Sequence, residues 1–181
     1  MNVLSLLNGI EYRGKINDCE VSFVTDDSRK VKKGCAFVCC KGGSFDGHTF
    51  AEKAAETGAT LIVCERDMGV PNQIIVPDSK KAYALLCANF FDNPSKKMKM
   101  IGITGTNGKT TVTLLVKHIL ETVKGAKVGL IGTMENLIGE EVVPTERTTP
   151  ESPQLQALFA RMVDAGCSYA VMEVSSHAIA L

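Results

Sequence analysis

The stretch that most constrains this chain is IGITGTNGKTTVTLLVKHIL, residues 101–120. An apolar run ends at Ile103, a glycine-punctuated turn follows, and Lys109, Thr110 and Thr111 open a helix. Gly105 and Gly108 let the backbone turn N–H groups inward, where they can cradle phosphate oxygens, and the positive helix end adds to the attraction. The common spacing G-x-x-x-x-G-K-[ST] is not met, because Ile103 stands where it needs glycine; the glycines are Gly102, Gly105 and Gly108. Lys109 can still reach the β and γ phosphates of a nucleoside triphosphate, and the Thr110 hydroxyl suits Mg²⁺. The plainer reading is a strand-to-helix turn with incidental glycines. Three evenly spaced glycines ahead of Lys-Thr-Thr argue against it.

Around this loop, apolar strand-like runs alternate with helix-like ones, which is the pattern of an α/β fold with parallel sheets. Segments 35–40, 59–65 and 73–77 read as strands in the first half, with a short helix stopped by Gly58 between the first two. Residues 78–92 form a helix capped by Asp78 or Ser79. NPSKKMKM is the linker candidate, so the expected domains are residues 1–95 and 96–181. The second domain begins with a strand at 99–103 and a helix whose apolar face is Val112, Leu115, Val116, Ile119, Leu120 and Val123. A strand at 127–132, an amphipathic helix through Leu155, Leu158, Phe159, Met162 and Val163, and a strand at 169–174 follow. This unit looks short for a parallel α/β domain, commonly ~100–150 residues. Glu173 stands near the C-terminal end of the last strand, where open α/β sheets bind ligands. It could hold the Mg²⁺ that accompanies ATP, or simply face solvent.

Twenty basic residues balance twenty acidic ones, which argues against a nucleic-acid backbone as partner. No apolar run approaches the roughly 20 residues of a membrane-spanning helix, and the N-terminal apolar run reads as an amphipathic helix, not a leader. The seven cysteines include no C-x-x-C pair and fall in apolar runs, as expected for buried thiols in a reducing cytoplasm.

The loop GITGTNGKTT resembles that of the Mur ligase superfamily, the ATP-dependent ligases of peptidoglycan synthesis together with folylpolyglutamate synthetase. TDDSRKVKKGCAFVCCKGGSFDGHTFAEKAAETGA (25–59) resembles the N-terminal uridine-nucleotide domain of the two later Mur ligases, and TTPESPQLQ and MEVSSHAIAL resemble the branch that adds the third stem-peptide residue. The resemblance implies a small N-terminal domain for the UDP-muramoyl moiety, followed by the start of a central ATP-binding domain. It implies phosphorylation of the D-glutamyl carboxylate of UDP-N-acetylmuramoyl-L-alanyl-D-glutamate by ATP, then attack by the amine of diaminopimelate or lysine. By matched position, Gly105, Thr106, Asn107, Gly108, Lys109, Thr110 and Thr111 would cradle ATP, and Thr110 and Glu173 would hold Mg²⁺. Thr148, Thr149 and Ser175 would bind the muramoyl dipeptide, while Ser28, Gly43, Ser44 and Phe45 would contact the uridine nucleotide. Lys109, Glu173 and His177 are the catalytic candidates, the role of His177 being open between phosphate and metal neighbour.

Each residue has a plainer role as well. Ser28 could cap a turn, Gly47 could supply a positive φ in an ordinary loop, and Thr148-Thr149-Pro150 could be a turn entry. His48 reads as a helix-start residue and His118 as a structural one. A monomer is expected, and the 181 residues alone are expected not to complete ligation. A nucleotide-binding module without catalysis and a small metabolite kinase are the other two readings. The position of the loop, after a complete-looking α/β unit, is awkward for a kinase.

Overall fold

The computed structural model describes residues 1–176 except 44 and 146. The chain divides into two compact units, Met1–Phe90 and Phe91–Leu181. In the first, strands β1 (Phe23–Thr25), β2 (Cys35–Val38), β3 (Leu61–Cys64) and β4 (Gln73–Ile75) form one sheet in the order β1-β2-β3-β4. All three pairings are parallel. Helix α1 is a single turn, Val3–Leu6, shorter than the N-terminal apolar run suggests. Helix α2 (Ala51–Thr57) ends on Gly58 at φ 91°, in the left-handed region where glycine carries no Cβ penalty. Helix α3 covers Ser79–Phe90.

The alternation of side chains along β2 explains why a strand with four buried residues in a row divides its apolar groups between two layers. Ala36 and Val38 pack with Val3, Leu6, Tyr83 and Leu86 of α1 and α3. Cys35 and Phe37 pack with Ala51 and Ala54 of α2. Fully burying a side chain such as Phe37 stabilises the fold by about 1.5–3 kcal/mol. Asn89 Nδ2 donates to the carbonyls of Leu6 (2.9 Å) and Asn8 (2.8 Å), so α3 satisfies the end of α1. Cysteines 35, 39, 64, 87 and 167 are buried, Cys19 and Cys40 are half-buried, and none is disulfide-bonded.

In the second unit the sheet order is β5-β9-β6-β7-β8. Strands β5 (Lys99–Ile103), β6 (Val128–Ile131) and β9 (Tyr169–Glu173) run parallel, with β9 in the middle. Strands β7 (Asn136–Ile138) and β8 (Glu141–Val143) add an antiparallel hairpin. Helix α4 (Lys109–Lys124) lies on one face and α5 (Ser152–Asp164) on the other. Successive β9 residues alternate between them, Ala170 toward the α5 core and Val171 toward the α4 core. Gly129 allows α5 close, since a Cβ there would stand 2.3 Å from Met162 Sδ.

The segment read as a linker packs into this second unit. Pro94 begins a 3₁₀ turn, Pro94–Lys97, and is buried, and Met98 belongs to the α5 core. The contact boundary therefore falls earlier, after Phe90. Helix α4 also departs from its sequence pattern. Its buried residues are Thr113, Lys117 and Leu120, while Val112, Leu115, Ile119 and Val123 are exposed. The sheet contacts one edge of the apolar stripe, with Val116 and Leu120 common to both. Among the described residues no helix is long and apolar enough to cross a membrane.

Candidate functional site

Strand β5 stops at Ile103 and hands the chain to a turn that α4 takes up at Lys109. Gly105 has φ 149° and Gly108 φ 80°, backbone conformations that L side chains rarely adopt. Gly108 occupies the N-cap of α4, and no side chain caps that helix end. Among the described residues the first-turn N–H groups thus have no side-chain acceptor, as a helix terminus built to receive an anion requires. The Lys109 ammonium folds back over the turn and donates to the carbonyls of Gly105 (2.8 Å) and Thr106 (3.5 Å). Residues 105–108 are exposed, Lys109 and Thr110 half-buried and Thr111 exposed. The Thr110 carbonyl accepts from Thr113 Oγ1 at 2.9 Å, which fixes the first turn of the helix.

Parallel register sets what stands beside this turn. Ile103 pairs with Glu173, so the loop departs from β5 level with the end of the central strand. Glu173 is 1 % exposed, so it does not face solvent. Its Oε1 accepts from the Thr133 N–H at 2.9 Å and its Oε2 from the Thr133 hydroxyl at 2.8 Å. Gly132 makes this possible, because a Cβ there would be 2.7 Å from Glu173 Oε1. Among the described residues no ion pair involves Glu173. A buried carboxylate served only by neutral donors is costly unless a cation completes it.

Thr149 is bonded to the same strand end, and Thr148 reaches it through Thr133. Thr149 Oγ1 donates to the Glu173 carbonyl at 3.0 Å and accepts from the Ser175 N–H at 3.1 Å. Thr148 Oγ1 lies 3.1 Å from Thr133 Oγ1. Thr148, Thr149, Glu173 and Ser175 are therefore one hydrogen-bonded group, with Thr133 as a member that sequence reading did not single out. Its only local signal is the glycine before it; the rest comes from strand register. His177 lies outside the described residues.

This donor set fits Mg²⁺. That ion keeps several waters and uses one or two carboxylates with substrate phosphates, so it needs no cage of protein ligands. A single buried carboxylate on the strand paired with the one that feeds the uncapped helix end and its threonine hydroxyl is such a set. The described residues include no cluster of three or more His, Cys, Asp or Glu that would suit a metal demanding full protein coordination.

In the first unit, the nucleotide candidates sit after two neighbouring parallel strands. Ser28 begins a 3₁₀ turn past β1, with Asp27 as its N-cap. Asp27 accepts from the Arg29 N–H and from the Arg29 guanidinium, which hold its carboxyl down at about 2. A cavity of about 190 Å³ opens beside Ser28, against Phe50, Lys53 and Thr57 of the α2 region. Past β2, the loop carrying Gly43 and Phe45 closes on itself: the Gly42 N–H donates to the Phe45 carbonyl and the Gly47 N–H to the Cys40 carbonyl. Phe45 is 72 % exposed at its tip, and Ser44 lies outside the described residues. Gly47 does not have the positive φ that the sequence suggested; glycine is needed because a Cβ would meet the Cys40 carbonyl at 2.7 Å.

His48 anchors this loop. It is 1 % exposed, its Nδ1 lies 2.6 Å from Asp46 Oδ1, and its Nε2 accepts from the Glu65 N–H at 2.9 Å. That acceptor role places the imidazole proton on Nδ1, facing Asp46. Hydrogen bonds from Arg66 and then His48 hold the Asp46 carboxyl well below its ordinary range. His118, by contrast, is exposed on α4.

Two family descriptions match the sequence: "Mur ligase family, catalytic domain" over residues 20–90 and "Mur ligase middle domain" over residues 103–181. A UDP-N-acetylmuramoyl-L-alanyl-D-glutamate--2,6-diaminopimelate ligase of Clostridium botulinum is 50% identical over 188 residues, covering 100% of this chain and 39% of that protein. The Listeria monocytogenes serovar 1/2a protein of that name is 46% identical over 170 residues, covering 93% of this chain and 34% of its own length. A solved structure of a ligase with the same name superposes with TM-score 0.66 at 28% identity, over 88% of this chain and 33% of that one. The MurF ligase of Thermotoga maritima, solved with ADP, shares the fold at TM-score 0.56 and 24% identity, over 84% of this chain and 32% of its own. The chain thus spans well under half the length of these proteins.

Proposed function

The chain belongs to the Mur ligase family, and from that premise we propose that it supplies the UDP-muramoyl-binding domain and the first part of the ATP site of a peptidoglycan-precursor ligase. The reaction is ATP-dependent addition of the third amino acid to UDP-N-acetylmuramoyl-L-alanyl-D-glutamate. The names of the relatives favour diaminopimelate as that amino acid. The observation that carries the reading is the buried Glu173 carboxylate, level with the start of the glycine loop and without an ion-pair partner among the described residues.

In this reading the first-turn N–H groups of α4 and the Lys109 ammonium hold the ATP phosphates. Lys109 exchanges its carbonyl contacts at Gly105 and Thr106 for phosphate oxygens. Thr110 and Glu173 hold Mg²⁺, which neutralises phosphate charge when bound. Thr149 and Ser175, fixed to the end of β9, and Thr148, bonded to Thr133, orient the muramoyl dipeptide so that its D-glutamyl carboxylate meets the γ-phosphate. Transfer of the γ-phosphoryl group to that carboxylate leaves ADP; the amine then attacks the acyl carbon, displaces inorganic phosphate and gives up a proton as the amide forms. Ser28, Gly43 and Phe45, beyond β1 and β2 at the carboxyl ends of parallel strands, receive the uridine nucleotide, with Ser44 as the fourth proposed contact. A monomer in the cytoplasm is consistent with this role.

Calorimetric titration of the 181-residue chain with UDP-N-acetylmuramoyl-L-alanyl-D-glutamate, with UMP for comparison, tests the docking half. Binding of the full compound, weakened by Ser28→Ala, is expected. A folded chain that binds neither compound would refute the uridine-site assignment.

A further inference from the structure

We propose that Thr133 is a positioning residue: it fixes the Glu173 carboxylate for the metal and ties it to the substrate-loop hydroxyl of Thr148. The inference rests on the reading of Glu173 as the Mg²⁺ carboxylate. Thr133 is exposed, yet it serves both oxygens of a carboxylate that is 1 % exposed. Its N–H takes Oε1 and its hydroxyl takes Oε2. Two contacts from one residue fix the rotation of the carboxylate plane, which a single hydrogen bond would not. Each oxygen keeps further lone-pair capacity for another partner.

The direction of the hydroxyl chain follows from proton counting. Thr133 Oγ1 carries one hydrogen, and the ionised carboxylate can only accept. Thr133 therefore donates to Glu173, and the 3.1 Å contact with Thr148 is completed by the Thr148 proton. The order is Thr148 to Thr133 to Glu173. A substrate group that engages Thr148 changes what Thr133 receives, and so touches the metal carboxylate through a single intervening residue. Gly132 belongs to the same device, since any side chain there would push against Glu173 Oε1 at 2.7 Å. Partners that orient a metal ligand matter strongly, their loss typically weakening metal binding by about 10–100-fold.

The test uses Mn²⁺ in place of Mg²⁺, with binding to the 181-residue chain in the presence of ADP followed by electron paramagnetic resonance. Thr133→Val keeps the backbone N–H and the shape but removes the hydroxyl; Thr133→Ser restores it. Thr133→Val is expected to weaken Mn²⁺ uptake by about tenfold or more, with Thr133→Ser within about threefold of wild type on the same scale. Metal-free ADP affinity, which damage to the fold would lower, should stay the same in all three. Wild-type uptake by Thr133→Val while Glu173→Gln loses the metal would overturn the positioning role alone. Equal loss in the Val and Ser variants would overturn it too, because the hydroxyl would not be what matters. A wild-type chain that takes up no Mn²⁺ with ADP, or a Glu173→Gln chain that matches it, removes the Glu173 reading and this inference together.

Discussion

Glu173→Gln should make the ligand-free chain more stable while removing its response to metal nucleotide. The side chain is buried, and among the described residues its two oxygens accept only from Thr133. Hydrogen bonds to a charged group contribute about 1.5–3 kcal/mol each and neutral ones about 0.5–1.5, so the exchange costs about 2–3 kcal/mol for the pair. Against this stands the penalty of keeping an unpaired carboxylate out of water, several kcal/mol even after relaxation. Glutamine has the same shape, and its amide can donate to the Thr133 oxygen. The balance is a gain of about 1 kcal/mol, which in a unit the size of Phe91–Leu181 raises the melting temperature by about 4–8 °C. Saturating Mg·ADP reverses the order, since ligand at 100 times its Kd adds about 2.7 kcal/mol to the form that binds it. Scanning calorimetry of both proteins, in chelator and then in Mg·ADP, reads both effects. A chelator-treated Gln variant that melts several degrees below wild type would refute the reasoning, because Glu173 would then be a structural residue.

Two further outcomes concern the first unit. Asp27 and Asp46 both have folded-state values below the ordinary 3.8 for aspartate, Asp27 at about 2 through its bonds from Arg29 and Asp46 through Arg66 and His48. Their contribution is complete above the unfolded-state value and is lost as pH falls through the folded one, so the urea midpoint of this unit should drop between about pH 4 and pH 2; Arg66→Ala should flatten that drop, and an unchanged slope would contradict it. Gly47→Ala forces a methyl against the Cys40 carbonyl, a strain of about 1–3 kcal/mol, and should weaken UDP-muramoyl binding more than Lys41→Ala does, as titration would show.

What could be read from the sequence was what is local. The glycine loop, Lys109 and the amphipathic helices announce themselves within twenty residues, because turn chemistry and helical period are short-range properties. Strand β1 went unread because only three residues pair, in VSFVTDDS. The β7–β8 hairpin had a usable signal, a two-residue connection at Gly139-Glu140 with Gly139 at φ 63°. Thr133 could not be found this way, since its partner is 40 residues away and the two meet only because β9 inserts between β5 and β6. The α4 stripe shows the opposite error: periodicity marks which residues are apolar, not which of them the sheet covers, and Leu115 and Ile119 remain half-exposed.

The most direct test of the account is a calorimetric titration of the 181-residue chain with ADP, with and without Mg²⁺, for wild type and Lys109→Ala. Lys109 contributes a charge-assisted contact of about 1.5–3 kcal/mol, or roughly a 10–150-fold change in Kd. Binding is expected to tighten with Mg²⁺ and to weaken by about that factor in the variant. A folded wild-type chain indifferent to Mg²⁺, or a variant that binds as tightly as wild type, would contradict it.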